Sequence, residues 1–250
     1  VVATCSDDLA EVAGVNSPAQ LAEPERIHQR RQAEQLMAQG VRLLDPSRFD
    51  LRGELVCGPD VQIDVNCVFS GRVELGSGVS IGAHCVLSDC RIEDGAQILP
   101  FTHIEGEALG VKVGAGARIG PYARLRPGSD LGPEVHIGNF VEVKNSRMGA
   151  GSKANHLAYV GDTQMGSGVN YGAGSITANY DGANKHTTVI EDGVHVGSNC
   201  VIVAPVRLGA GGTIGGGSTI TKDTPPQALT VARGKQVSIA NWKRPTKKKP

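Results

Sequence analysis

The sequence predicts an all-β fold, a parallel β-helix wound from hexapeptide repeats, and three observations carry that prediction. From Leu51 onward an aliphatic residue recurs every six positions, usually followed by Gly, Asp or Glu, in units such as LGSGVS, IGAHCV, IGPYAR, IGNFVE, VGSNCV and IGGGST. Glycine reaches 34 residues while aromatics make up only 4%, so repetition rather than large rings must organise the interior. No competing period is present: an amphipathic helix would repeat near 3.6 residues, and a doubly wound sheet would alternate strands with long helical segments. The many Gly-x-Gly pairs belong to the same six-residue period, and no complete GxGxxG occurs.

Each element follows in chain order. Residues 1–22 have no period of their own and read as the end of a preceding unit. Residues 23–50 are a linker helix and lead-in: PERIHQRRQAEQLMAQGV has Pro24 near its start and Gly40 after its end. Residues 51–224 are the coil, about three hexapeptides to a turn, with the first and fifth positions of each pointing inward. Cys67, Cys85 and Cys200 fall where a small buried side chain is wanted and are expected to be reduced. Three features break the period. The frame slips near Gly110 to Lys112, VKNSR and VGDTQ are each one residue short, and Thr177 to Val189 (TANYDGANKHTTV) should loop out. The Pro225-Pro226 pair ends the coil in this reading, leaving 225–250 as a basic tail.

Charge excludes some partners. With 25 basic and 25 acidic residues the net charge is zero, so no global field attracts nucleic acid or an anionic membrane, and any anion site must be local. No apolar run approaches the roughly 18 residues of a membrane span, and no signal pattern opens the chain, so a cytoplasmic protein without membrane insertion is expected.

Residues one turn apart occupy adjacent rungs about 4.8 Å apart, which turns spacing into proximity. Arg126 and Lys144 stack as like charges, an arrangement that an anion beside them would relieve. Ser198 and Gly216 stack as small residues past which a ligand chain could lie. His156, in KANHLAYVGD, points outward between Asn139 and Ala173, too far from the core to be a buried structural histidine. In the next outward column Arg124, Glu142 and Tyr159 stack, so Glu142 can neutralise Arg124.

These same stretches carry a resemblance. RFDLRG, ARLRPG, HIGNFVEVKN, GSKANHLAYVGD, GAGSITANYDGANK and VAPV closely resemble the acetyltransferase half of the bacterial bifunctional glucosamine-1-phosphate acetyltransferase and N-acetylglucosamine-1-phosphate uridyltransferase. The match runs from about Glu11 to the C-terminus. It implies a left-handed coil, a homotrimer with active sites between subunits, and acetyl transfer from acetyl-CoA to the amine of glucosamine 1-phosphate, feeding UDP-N-acetylglucosamine and cell-wall synthesis. It makes His156 the general base, with Glu142 stabilising it. Arg126, Lys144, Tyr159, Asn170 and Lys185 become sugar-phosphate contacts. Asn179 and Tyr180 line the site from the inserted loop and, with Ser198, Gly216 and Arg233, face the coenzyme; the family often has alanine where Gly216 stands. It implies no metal in this half. The Gly-rich uridyltransferase half, with its Mg²⁺ site, is not in this sequence, and residues 1–22 read as its remnant.

The chemistry agrees. An ammonium cannot attack a thioester, and a histidine near pKa 6.5 can take the proton at neutral pH. Arg126, Lys144 and Lys185 would give a phosphate three charges, which argues against a neutral acceptor in another hexapeptide acyltransferase. A metal-dependent carbonic anhydrase on the same coil would need converging histidines, and His84, His103, His136 and His195 form no such set. A purely structural solenoid leaves the Arg126 and Lys144 stack unexplained.

Overall fold

The computed structural model describes residues 12–244; residues 1–11 of the expected domain remnant and 245–250 of the expected tail lie outside them. Among the described residues one helix, Pro18–Ala38, precedes the strands. It starts earlier than its sequence signal suggests. Ser17 caps it by accepting the Gln20 amide, Pro18 occupies the first turn, and Pro24 lies inside. The Ser-Pro pair is the stronger start signal, since Pro18 has no amide to satisfy and Ser17 satisfies another. Ala33 and Leu36 are buried, and Gln29 both donates to Leu51 O (3.1 Å) and accepts from Leu51 N (2.7 Å). The helix thereby pairs backbone groups of the first rung that have no strand below them.

Above it the chain winds as the left-handed parallel β-helix of hexapeptide repeats, every strand pairing parallel with the strand one turn away. Its three faces form two sheets. Face one is an 11-stranded sheet from Arg42–Leu43 to Leu229–Thr230, and faces two and three form a 16-stranded sheet. The long strand Val86–Ile92 joins them: its first half pairs with His103–Glu105 on face two and its second with Val111–Val113 on face three. A ladder of mostly aliphatic side chains fills the coil behind each face. Behind face one it runs Ile63, Ile81, Ile98, Ile119, Ile137, Ala154, Tyr171, Val196 and Ile214, all buried. Small and branched side chains suffice because each rung packs only on its neighbours. Cys67, Cys85 and Cys200 lie in this core as free thiols. Burial pushes Cys67 up to about 11 and Cys85 up to about 12, leaving both unreactive at neutral pH.

The interruptions fall where the period places them. Arg91 pairs with Lys112, twenty-one positions on, around a short 3₁₀ turn at Glu107–Leu109. Glu142 pairs with Tyr159, only seventeen on, and Gln164 pairs with Val189 across the inserted loop. The coil's end differs from expectation. Pro225 and Pro226 do not stop it: Leu229–Thr230 adds another strand beside Thr213–Ile214, and the Ala232 carbonyl still accepts from Thr219. Both prolines sit opposite Gly209 at a corner, a turn where no ladder amide is required of them. Among the described residues no helix is long and apolar enough to cross a membrane.

Candidate active site

Two corners bound face two, and the candidate residues divide between them. At the corner with face one, successive rungs carry His84, Phe101, Tyr122, Phe140 and Leu157, all at positive φ between 49° and 61°. Their rings stack at centroid distances of 4.9, 4.9 and 5.5 Å, and Phe140 and Leu157 are 57% and 62% exposed. His156 immediately precedes Leu157 and is exposed. Its Nδ1 lies 2.9 Å from Asn139 Oδ1 one rung below. An amide oxygen is an acceptor, so Nδ1 carries the proton and Nε2 is left as the acceptor, the form a general base needs.

The column holding His156 continues upward. Register places Ala173, Ser198 and Gly216 above it on successive rungs, a run of small residues about 14 Å long at 4.8 Å per rung. Arg233 closes the upper end by donating to Gly216 O at 2.6 Å. Beside the lower end is a groove of about 340 Å³ lined by Gly120, Pro121, Gly138, Asn139 and His156 among others. Asn170 is on face one as well, with its amide 3.3 Å from His195 Nε2.

The opposite corner is basic. Arg126 and Lys144 sit on adjacent rungs, and Gly161 takes the same place on the next. Arg126 donates to Glu142 Oε1 at 2.9 Å, while its Nε is buried without a hydrogen-bond partner. Glu142 also lies 3.9 Å from Arg124, which reaches Glu105 at 3.5 Å. In this chain, then, Glu142 serves the arginines, and it is Asn139 that bonds His156. The reason is position: Glu142 faces outward in mid-face, beside Arg124 and before Lys144, whereas His156 lies around the corner. Tyr159 leans along the face over Gly161, where any Cβ would strike its ring.

Lys144 is held below the ordinary lysine value, first by its contact with Lys185, then by partial burial, with Asp162 acting in the opposite sense and Arg126 adding to the shift. Lys185 comes from the inserted loop, which forms a small antiparallel turn: Tyr180 bridges Lys185, and Asp181 accepts from the amides of Ala183 and Asn184 and lies 2.6 Å from His186. Tyr180 is 62% exposed, but Asn179 is only 9% exposed, and its amide donates to Asp162 rather than standing free. Sequence reasoning missed Asp162, Asn145 and the bond from His156 to Asn139. The signal for the first two was an Asn or Asp at a corner that elsewhere carries Gly. Among the described residues no group of three or more His, Cys, Asp or Glu side chains is placed to hold a metal.

Fold and site together define a hexapeptide-repeat protein of the transferase type. The family model described as "Bacterial transferase hexapeptide (six repeats)" matches residues 110–145 and 187–222. Over nearly its whole length the chain is similar to the hexapeptide half of the bifunctional protein GlmU. It is 68% identical to that protein from Acidovorax ebreus (strain TPSY) over 99% of this chain and 54% of the relative. It is 72% identical to the one from Polaromonas sp. (strain JS666 / ATCC BAA-500) over 99% of this chain and 52% of the relative. The chain thus spans about half the length of the curated relatives it matches. Among solved structures, LpxA from Acinetobacter baumannii matches at 21% identity over 75% of this chain and 70% of that one, with a TM-score of 0.41.

Proposed function

We propose that this chain transfers the acetyl group of acetyl-CoA to the amine of glucosamine 1-phosphate. One observation carries the acceptor: Arg126, Lys144 and Lys185 converge so closely that Lys144 is pushed toward its neutral form. Such crowding is relieved by a dianionic phosphate, for which the unpartnered Arg126 Nε is a further donor. The acyl donor is supported by the straight column from His156 to Gly216, which suits an extended pantetheine arm, with Arg233 at its upper end; Tyr180, on the loop at the opposite corner, would reach the coenzyme from a neighbouring copy. In the reaction His156 Nε2 takes a proton from the substrate ammonium, and the free amine attacks the thioester carbonyl. The attacking nitrogen gives up its remaining extra proton to solvent, and the tetrahedral intermediate collapses to the neutral amide by expelling the coenzyme thiolate, which recovers a proton from the imidazolium. Backbone amides of the rigid coil are the available donors to the oxyanion.

His156 and the basic cluster occupy opposite corners of face two, about 15 Å apart if five residues of strand separate them. This supports a homotrimer in which the basic corner of one copy meets the His156 corner of the next, each site being shared. Residues before the helix fit the end of a uridyltransferase half, which would bring its own Mg²⁺ and UTP chemistry, and a cytoplasmic location fits substrates of this kind. Thiol release from acetyl-CoA on adding glucosamine 1-phosphate tests the reading. Dependence on the phosphorylated sugar is expected, and equal turnover with glucosamine would overturn it.

A further inference from the structure

Asp162 is the one buried carboxylate among the described residues, 8% exposed, and the proposed chemistry leaves it unused. It stands at the corner beyond face two, at φ 48°, in a column with Gly128 and Asn145. A buried carboxylate must be hydrogen-bonded to be tolerated. Here the donors come from both neighbouring rungs: Asn145 Nδ2 donates to Oδ1 at 2.5 Å, and Asn179 Nδ2 donates to Oδ2. The main chain of the same residue is equally engaged. Its amide donates to Lys144 O (3.1 Å) and its carbonyl accepts from Thr188 N (3.2 Å).

Asn179 and Thr188 are the two ends of the inserted loop, which carries Tyr180 and Lys185. Between them a further bond, His186 N to Asn179 O at 2.8 Å, closes the neck. A single residue of the coil therefore grips the loop where it leaves and where it returns, and the same residue bonds the main chain of Lys144. We infer that Asp162 is a positioning residue, anchoring the inserted loop so that Lys185 is held against Lys144 for an anionic group of the substrate. Its charge also offsets the crowding at Lys144. Holding two cations together in the free chain costs free energy that a mobile loop would avoid by swinging Lys185 into water. The anchor keeps the site formed in advance of binding.

The anchor is independent of which substrate is used; only the affinity arm of the test rests on the acetyl-transfer reading. The anchor is read by trypsin cleavage after the exposed Lys185, followed by mass spectrometry. In Asp162→Ala the cleavage rate is expected to rise at least about tenfold, because local opening controls access. In the same variant KM for glucosamine 1-phosphate should rise about tenfold, with KM for acetyl-CoA within about twofold of wild type. Asp162→Asn keeps the shape and can keep an amide contact, so it should fall between. If Asp162→Ala does not fold, Asn179→Ala breaks the loop arm alone, and its cleavage rate decides. Unchanged cleavage in the folded variants, or equal losses for both substrates, would overturn the proposal. Wild-type protein inactive on glucosamine 1-phosphate would instead sink the acceptor assignment and leave cleavage to judge the anchor.

Discussion

Both corners of face two demand left-handed backbone, yet they meet the demand with opposite chemistry. At the His156 corner the chain places Phe101, Tyr122, Phe140 and Leu157 at positive φ, a conformation that bulky residues adopt only with strain. Their rings and chains point outward and stack, 46% to 62% exposed. At the Lys144 corner the equivalent places hold Gly128, Asn145 and Asp162, which tolerate that conformation, and Asn145 donates to the buried Asp162 carboxylate. One corner is an apolar ridge ending beside His156, and the other a polar lattice beside Arg126 and Lys144. The difference teaches that the coil does not build one pocket. Under the proposed function these corners act as two half-sites, His156 at one and the cations Arg126 and Lys144 at the other.

If that division is right, substitutions at the two corners should damage different kinetic constants. The largest effect is expected from His156→Ala, with kcat reduced about 10² to 10⁴-fold at pH 7 and partial recovery toward pH 9, where more amine is free. Its melting should stay within about 0.5 kcal/mol of wild type, since the ring is exposed. Rate profiles from pH 6 to 9 with circular dichroism check this, and a variant keeping a third of wild-type kcat would place the base elsewhere.

Arg126→Ala and Lys144→Ala should instead raise KM for glucosamine 1-phosphate about ten- to a hundredfold, the equivalent of roughly 1.5 to 3 kcal/mol for a charge-assisted contact. KM for acetyl-CoA should hardly move, and steady-state kinetics with each substrate varied in turn separates the two.

A smaller effect sharpens the picture of the basic corner. Lys144 in the folded chain sits below its ordinary value of 10.5, so the folded state gives up that proton before the unfolded state does. In the window between the two values the unfolded chain binds more protons, and the ligand-free fold gains stability as pH rises. Anion binding favours the charged lysine, so affinity for the sugar phosphate should fall over the same window. Lys144→Arg should flatten that decline, as KM measured against pH would show. The smallest change is expected from Gly216→Ala. An added Cβ would lie 3.3 Å from Ser198 O, and no positive φ is required, so KM for acetyl-CoA should stay within about twofold.

How much of this was legible in the sequence depends on periodicity. The coil, its short rungs, the inserted loop and the stacking of Arg126 on Lys144 all follow from counting, because parallel register preserves spacing between rungs. The helix start at Pro18 and the extra rung past Pro226 escape a reading in which proline marks a boundary, because a first turn and a coil corner both accept it. Contacts that turn a corner were not legible either. The Asn139 bond to His156 needs a side-chain rotamer, and the Asp162 anchor needs the returning path of a loop that has no period.

The shared site is tested most directly by combining the two lesions in one assembly. His156→Ala and Lys144→Ala chains, differently tagged, would be co-expressed and purified through both tags, so that every particle contains both. In a cyclic trimer each mixed particle regenerates one site with both corners intact, so with glucosamine 1-phosphate held well below the wild-type KM, where both parents are nearly inactive, about a third of wild-type activity should return. Activity no greater than that of the parents would contradict the account and place both corners of each site in a single chain.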